Sequence, residues 1–170
     1  DTIILGTNLT SSDTIDGGNG TDELRFTDSG SATSDLDGVT NVETVTLGDA
    51  STSVTTVDAL VGSGQTLTVS AAALTGTNAL TWDGSAETNG SFSITGSSQA
   101  DTITGGAGAD TVTAGSGDDT ISSGNDADTI ILGTNLTSSD TIDGGAGTDE
   151  LRFTDSGSAT SDLDGVTNVE

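Results

Sequence analysis

The chain has 170 residues, 27 of them acidic and two basic, with no His and a formal net charge of −25. Binding to nucleic acid or to an anionic membrane surface is excluded, because both need Lys or Arg to meet phosphate and the chain offers only Arg25 and Arg152. No run approaches the roughly 18 apolar residues of a membrane helix, and the lack of Cys rules out a disulfide framework.

Low hydrophobicity with high net charge is also the composition of disordered chains. Here, however, the acids are mostly Asp at regular spacing, interleaved with β-branched triplets such as Thr102-Ile103-Thr104, Thr111-Val112-Thr113 and Thr120-Ile121-Ser122. Such periodicity points to a fold whose stability depends on something cationic. No signal-peptide pattern precedes Asp1, as expected if the natural N-terminus lies elsewhere.

Residues 1–43 return as residues 128–170 with one difference, Asn19 against Ala146, so the chain has a period of 127 residues. Self-similarity of this kind sets the architecture before any local reading. The expectation is one full unit, 1–127, followed by the start of a near-identical one, 128–170, as in a longer tandem array. A simple two-copy duplication is the alternative. Within the unit, 1–41 read as partial repeat turns, 42–95 as spacer turns and 96–127 as the most regular stretch.

In chain order, Asp13 and Asp22 come first, the latter closing the glycine-rich run Gly17-Gly18-Asn19-Gly20-Thr21-Asp22. Glu23-Leu24-Arg25-Phe26 should turn Leu24 and Phe26 inward and Glu23 and Arg25 outward, with Arg25 neutralising neighbouring carboxylates. Thr44-Val45-Thr46-Leu47, Thr66-Leu67-Thr68-Val69, Ala79-Leu80-Thr81-Trp82 and Ser91-Phe92-Ser93-Ile94 all alternate with period two, as strands do. Ala71-Ala72-Ala73-Leu74 suggests a single helical turn at a corner. The simplest architecture for 42–95 is a continuous solenoid with long corners; a separate β-sandwich is the rival. Trp82, the only Trp, reads as a core or corner filler more readily than as a sugar-stacking platform.

From residue 101 the pattern tightens. Asp101, Asp110, Asp119 and Asp128 recur every nine residues; Asp140 follows after twelve, past a three-residue insertion within Thr134–Thr137, and Asp149 after nine more. Two places after each stands an aliphatic residue: Ile103, Val112, Ile121, Ile130, Ile142 and Leu151. Gly105-Gly106-Ala107-Gly108-Ala109-Asp110 and Gly144-Gly145-Ala146-Gly147-Thr148-Asp149 share one glycine pattern with 17–22. The run with Gly115 and Gly117 departs from it at Ala114, and 123–128 departs at two positions. The loops ahead of Asp101 and Asp140 have largely lost it.

At these residues the chain resembles the RTX (hemolysin-type) nonapeptide G-G-x-G-x-D-x-U-x, with U a large aliphatic residue, a calcium-binding β-helix repeat. Residues 65–70 and 82–87 resemble, more loosely, spacers beside such repeats in very large secreted bacterial proteins. The resemblance implies an all-β fold, a right-handed parallel β-roll with two nonapeptides per turn, and Ca²⁺ held between loops on successive turns. It couples Asp101 with Asp119, Asp110 with Asp128, Asp119 with Asp140 and Asp128 with Asp149. The implied metal residues are these Asp together with Asp13 and Asp22, and Gly17, Gly18, Gly20, Gly105, Gly106, Gly108, Gly115, Gly117, Gly144, Gly145 and Gly147. The chemistry agrees: glycine permits tight turns with inward carbonyls, and calcium takes six to eight hard oxygens. Asp and Gly serving as metal-free turn residues is the alternative.

Catalysis is not expected. The chain has no Lys, His or Tyr to act as base or electrophile, and no carboxylate pair stands out as a glycosidase would need. An ice-binding threonine ladder is disfavoured because the loop positions vary. Two non-catalytic readings remain. One is a calcium-stiffened repeat of a giant secreted adhesin, surface layer or filament at the bacterial cell surface, stacking end to end with further units. The other is the secretion and folding module of an RTX toxin or secreted enzyme. The tandem unit favours the first.

Overall fold

Triplets of β-branched residues between glycine-rich runs can form only short strands, and short strands persist by stacking on like neighbours. A computed structural model describes residues 1–28, 30, 34–154 and 163–170. These hold sixteen strands: β1 (Thr2–Gly6), β2 (Ile15–Asp16), β3 (Glu23–Phe26), β4 (Val39–Thr40), β5 (Thr44–Leu47), β6 (Thr52–Thr55), β7 (Thr66–Ser70), β8 (Leu80–Asp83), β9 (Ser91–Thr95), β10 (Thr102–Thr104), β11 (Thr111–Thr113), β12 (Thr120–Ser122), β13 (Thr129–Gly133), β14 (Thr141–Asp143), β15 (Glu150–Phe153) and β16 (Val166–Thr167).

Odd and even strands alternate between two faces. The eight odd strands form one sheet in sequence order, and β6 to β16 form a six-stranded sheet opposite, with β2 and β4 paired separately. Every pairing is parallel. The molecule is therefore an all-β parallel solenoid of two strands per turn. The spacer is part of it, since β5, β7 and β9 sit in the same sheet as β11 and β13; the sandwich alternative is set aside. The corner at 71–74 is a turn closed by Leu74 N donating to Ala71 O (3.0 Å), not a helical turn.

Register places like on like. Ile3, Leu24, Val45, Val69, Ile94, Val112, Ile130 and Leu151 form one column through the odd sheet. Val54, Trp82, Ile103, Ile121, Ile142 and Val166 form the facing column. Most members are fully buried, at roughly 1.5–3 kcal/mol of stabilisation per large side chain. Trp82 packs edge-on against Phe92 with ring centroids 5.6 Å apart, which makes it a core filler. Leu24 and Phe26 face inward while Arg25 lies outward, its Nε 2.8 Å from Glu23.

The repeated segment shows what a neighbouring turn does. Phe26, covered by β5, is 2% exposed, whereas the equivalent Phe153, on the last strand of its sheet, is 41% exposed. Ile4 on the first strand is 70% exposed, while its counterpart Ile131, flanked by β11 and β15, is half-buried.

Candidate metal centre

Alternation of strands sorts the loops onto two edges. Loops running from an even strand to an odd one (17–22, 84–90, 105–110, 123–128 and 144–149) lie along one edge; loops running the other way (96–101, 114–119 and 134–140) lie along the other. All three complete glycine patterns, 17–22, 105–110 and 144–149, fall on the first edge. The degenerate loops before Asp101 and Asp140 share the second.

Stacking explains the glycines. A Cβ on Gly105 would lie 2.2 Å from Ser123 O, one on Gly108 2.1 Å from Gly90 O, and one on Gly144 2.0 Å from Asn168 O. The carbonyl of the neighbouring turn occupies the space of the missing side chain. Gly115, Gly117 and Gly145 meet the adjacent loop in the same way and also adopt positive φ. Gly17 approaches Asn41 O and Gly147 approaches Asp126 O. Gly106 lies 3.0 Å from Glu87 O by the same measure. Gly18 instead has open space and Gly20 meets only Asp22 Oδ2, at 4.0 Å; both serve their positive φ, +89° and +130°.

The aspartates form ladders one turn apart. Asp110 N donates to Asp128 Oδ1 (2.7 Å), Asp128 N to Asp149 Oδ1 (2.9 Å), and Asp149 N to Glu170 Oε2 (3.0 Å). On the second edge Asp101 N donates to Asp119 Oδ1 (2.9 Å) and Asp119 N to Asp140 Oδ1 (2.8 Å). The expected pairings are thus the ladder neighbours. In the first copy Asp22 N donates to Glu43 Oε2 (2.8 Å). Asp13 stands apart: half-buried, its carboxylate caps its own turn at Thr10 N (2.8 Å). Glu43 and Glu170 were not among the expected site residues. The signal was present, since Glu43-Thr44-Val45 repeats the acid-x-aliphatic spacing 21 residues after Asp22 with Glu in place of Asp.

These carboxylates are buried, at 1–2% exposure for Asp22, Asp101, Asp110, Asp119, Asp128, Asp140 and Asp149. Burial pushes Asp110 up to about 6, against hydrogen bonds from Gly106 N and Phe92 N that pull it down, with Asp128 and Glu87 adding to the rise. Burial, with the charges of Asp101, Asp140 and Asp118, likewise lifts Asp119 to about 6. Asp128 is also raised, burial first and then the charge of Asp149. No basic side chain relieves them: Arg25 and Arg152 pair on the surface with Glu23 and Glu150.

The residues fit a hard cation. Asp128 Oδ2 is buried without any hydrogen-bond partner, and the Ser123 hydroxyl is donated to Gly144 O (2.8 Å) instead; Asp22 Oδ2 is also unpartnered, although Asp22 Oδ1 accepts from the Asp1 ammonium at 2.6 Å. Buried unpaired acceptors of this kind cost several kcal/mol unless something positive meets them. Among the described residues no three acidic side chains converge into a cage, so carboxylates such as Asp110, Asp128 and Asp149 would supply some of an oxygen shell and main-chain carbonyls of the glycine loops the rest. Calcium accepts such mixed sets; when bound it would offset the charge that the ladders concentrate.

Fold and edge together define a parallel β-solenoid whose turns are locked by stacked glycine loops and buried carboxylate ladders. The family model for the RTX calcium-binding nonapeptide repeat (4 copies) matches residues 10–26, 95–130 and 137–153. In these segments the chain is similar to RTX calcium-binding nonapeptide repeats. Strands β4 to β8 continue the same solenoid outside the match. No curated protein and no solved structure matches the chain.

Proposed function

We propose that this chain is a calcium-dependent structural repeat of a very long secreted bacterial surface protein, serving as stalk, surface layer or filament. The observation that carries the reading is the junction between the repeated units. Strand β13, the first of the second copy, is hydrogen-bonded to β11 of the first copy on one side and to β15 on the other. Successive units therefore join without a linker, and the aliphatic columns run across the boundary. A single folding appendage has no need of such a seam.

The proposed role is mechanical. Calcium couples to folding: outside a cell, where extracellular modules meet ~10⁻⁴–10⁻³ M affinities, the ladders are neutralised and the turns stack. In calcium-poor surroundings the charge of −25 keeps the chain expanded. Circular dichroism of metal-free chain titrated with calcium tests this, the expected result being β-structure that appears cooperatively with the ion. A full β-spectrum without calcium, unchanged on its addition, refutes the coupling.

A further inference from the structure

Residues 84–90 carry no nonapeptide and lie outside the family match, yet they stack on the calcium-type edge in register with it. Ala107 N donates to Glu87 O (3.0 Å) just as Asn125 N donates to Gly106 O (3.1 Å) and Ala146 N to Gly124 O (2.8 Å). Glu87 thus holds the rung that a loop glycine, Gly106 or Gly124, holds in the following turns. Its Cβ lies where only a glycine can face it, 3.1 Å from the position a Cβ on Gly106 would take.

The side chain is fully buried, at 0% exposure. Oε1 accepts from Gly90 N (2.8 Å) and Asn89 N (3.1 Å), while Oε2 has no partner. At the same turn the ladder loses its carboxylate, because the residue whose N–H meets Asp110 Oδ1 (2.6 Å) is Phe92. Glu87 returns an acidic group to that edge from five residues upstream. Its charge bears on Asp110, and both Arg are engaged by Glu23 and Glu150.

Resting on the calcium reading above, we propose that Glu87 Oε2 and Asp110 define an additional divalent-cation site between loops 84–90 and 105–110, extending the row of ions one turn beyond the nonapeptides. The glutamate's longer arm replaces the missing aspartate rung, and the site anchors the spacer turns to the repeat turns.

Equilibrium dialysis with calcium on the whole chain, wild type against Glu87→Gln, tests this, with circular dichroism in saturating calcium to establish that both are folded. The expected result is a folded variant that binds one ion fewer. An unchanged count and affinity overturns the proposal and leaves Glu87 as a purely loop-bonding group. If Glu87→Gln does not fold, Glu87→Asp decides: the carboxylate survives on a shorter arm, so the count should hold while one site weakens by about tenfold, roughly 1.4 kcal/mol. Unaltered affinity there overturns the site as well. A wild-type chain that binds no calcium overturns the site together with the calcium reading, whereas loss of one ion only in the variants is specific to Glu87.

Discussion

Removing calcium and then lowering pH should partly restore the fold, an inversion of ordinary acid denaturation. Asp110 and Asp119 rise from 3.8 to about 6 in the folded chain. Between those values the folded state binds more protons than the unfolded one, so stability falls as pH rises through this window and is regained as pH falls. A shift of about two units is about 3 kcal/mol per group, before coupling between rungs reduces it. That is comparable to a large fraction of a small domain's net stability. The assay is far-UV circular dichroism and urea midpoints in calcium-stripped buffer at pH 7.5, 6 and 4.5. Chelating resin is preferable to EDTA, which loses its grip on calcium in acid. Greater β-content and a higher midpoint at pH 4.5 are expected. With calcium present the slope reverses, because protons compete for the ligands, so the calcium midpoint should climb as pH drops. A metal-free chain equally or less stable at pH 4.5 refutes the buried-carboxylate argument.

Other outcomes follow from the same geometry. Asp128→Ala and Asp119→Ala should each raise the calcium midpoint well above wild type and leave a buried N–H unpaired, at about 1–3 kcal/mol. Asp83→Ala, whose Oδ1 meets only Ser85, should move the midpoint little; equal effects would mean that the ladder is incidental. Asp128→Asn should stabilise the metal-free chain while weakening the calcium form, a sign change visible in paired urea melts. Gly124→Ala meets Gly106 O at 2.1 Å as well as a φ of +112°, and should cost at least about 3 kcal/mol. Gly64→Ala, with φ +69° and open space, should cost only about 1 kcal/mol, as denaturant midpoints would show. Seven steps between the eight stacked odd strands give a rise of about 34 Å at the usual strand spacing. Small-angle scattering of proteins with one, two and three units should show length growing at constant cross-section.

The solenoid was legible because its determinants are local and repeated. An acid, one spacer and an aliphatic residue every nine positions set the rung, and Ile103, Val112, Ile121 and Ile130 all landed in the core. The period-two alternation within 42–95 suggested a continuous solenoid, which the pairing of Leu67 with Phe92 and of Val54 with Trp82 bears out. What escaped was set by contacts between turns. Nothing in the glycine pattern says that Glu43 would complete the rung of Asp22, since its loop is only three residues, 41–43, long. Glu87 lay in a stretch, 82–87, that resembled a spacer; its place in the row follows from Ala107 one turn later. The alanine run at 71–74 had helical propensity, but a corner between parallel strands leaves room for one turn only.

The parallel pairing has a mechanical corollary. Backbone hydrogen bonds between β11 and β13, or β12 and β14, point along the axis on which the turns are stacked, so a pull on the two ends loads them directly instead of shearing whole sheets. Rungs of this kind unzip singly. Each release frees the 18 residues that separate Thr111 from Thr129, on the order of 60 Å of extended chain in exchange for about 5 Å of stacked rise. A fibre built this way would yield in discrete steps and reel itself in again when the load falls, with ambient calcium setting the force at which each coil lets go.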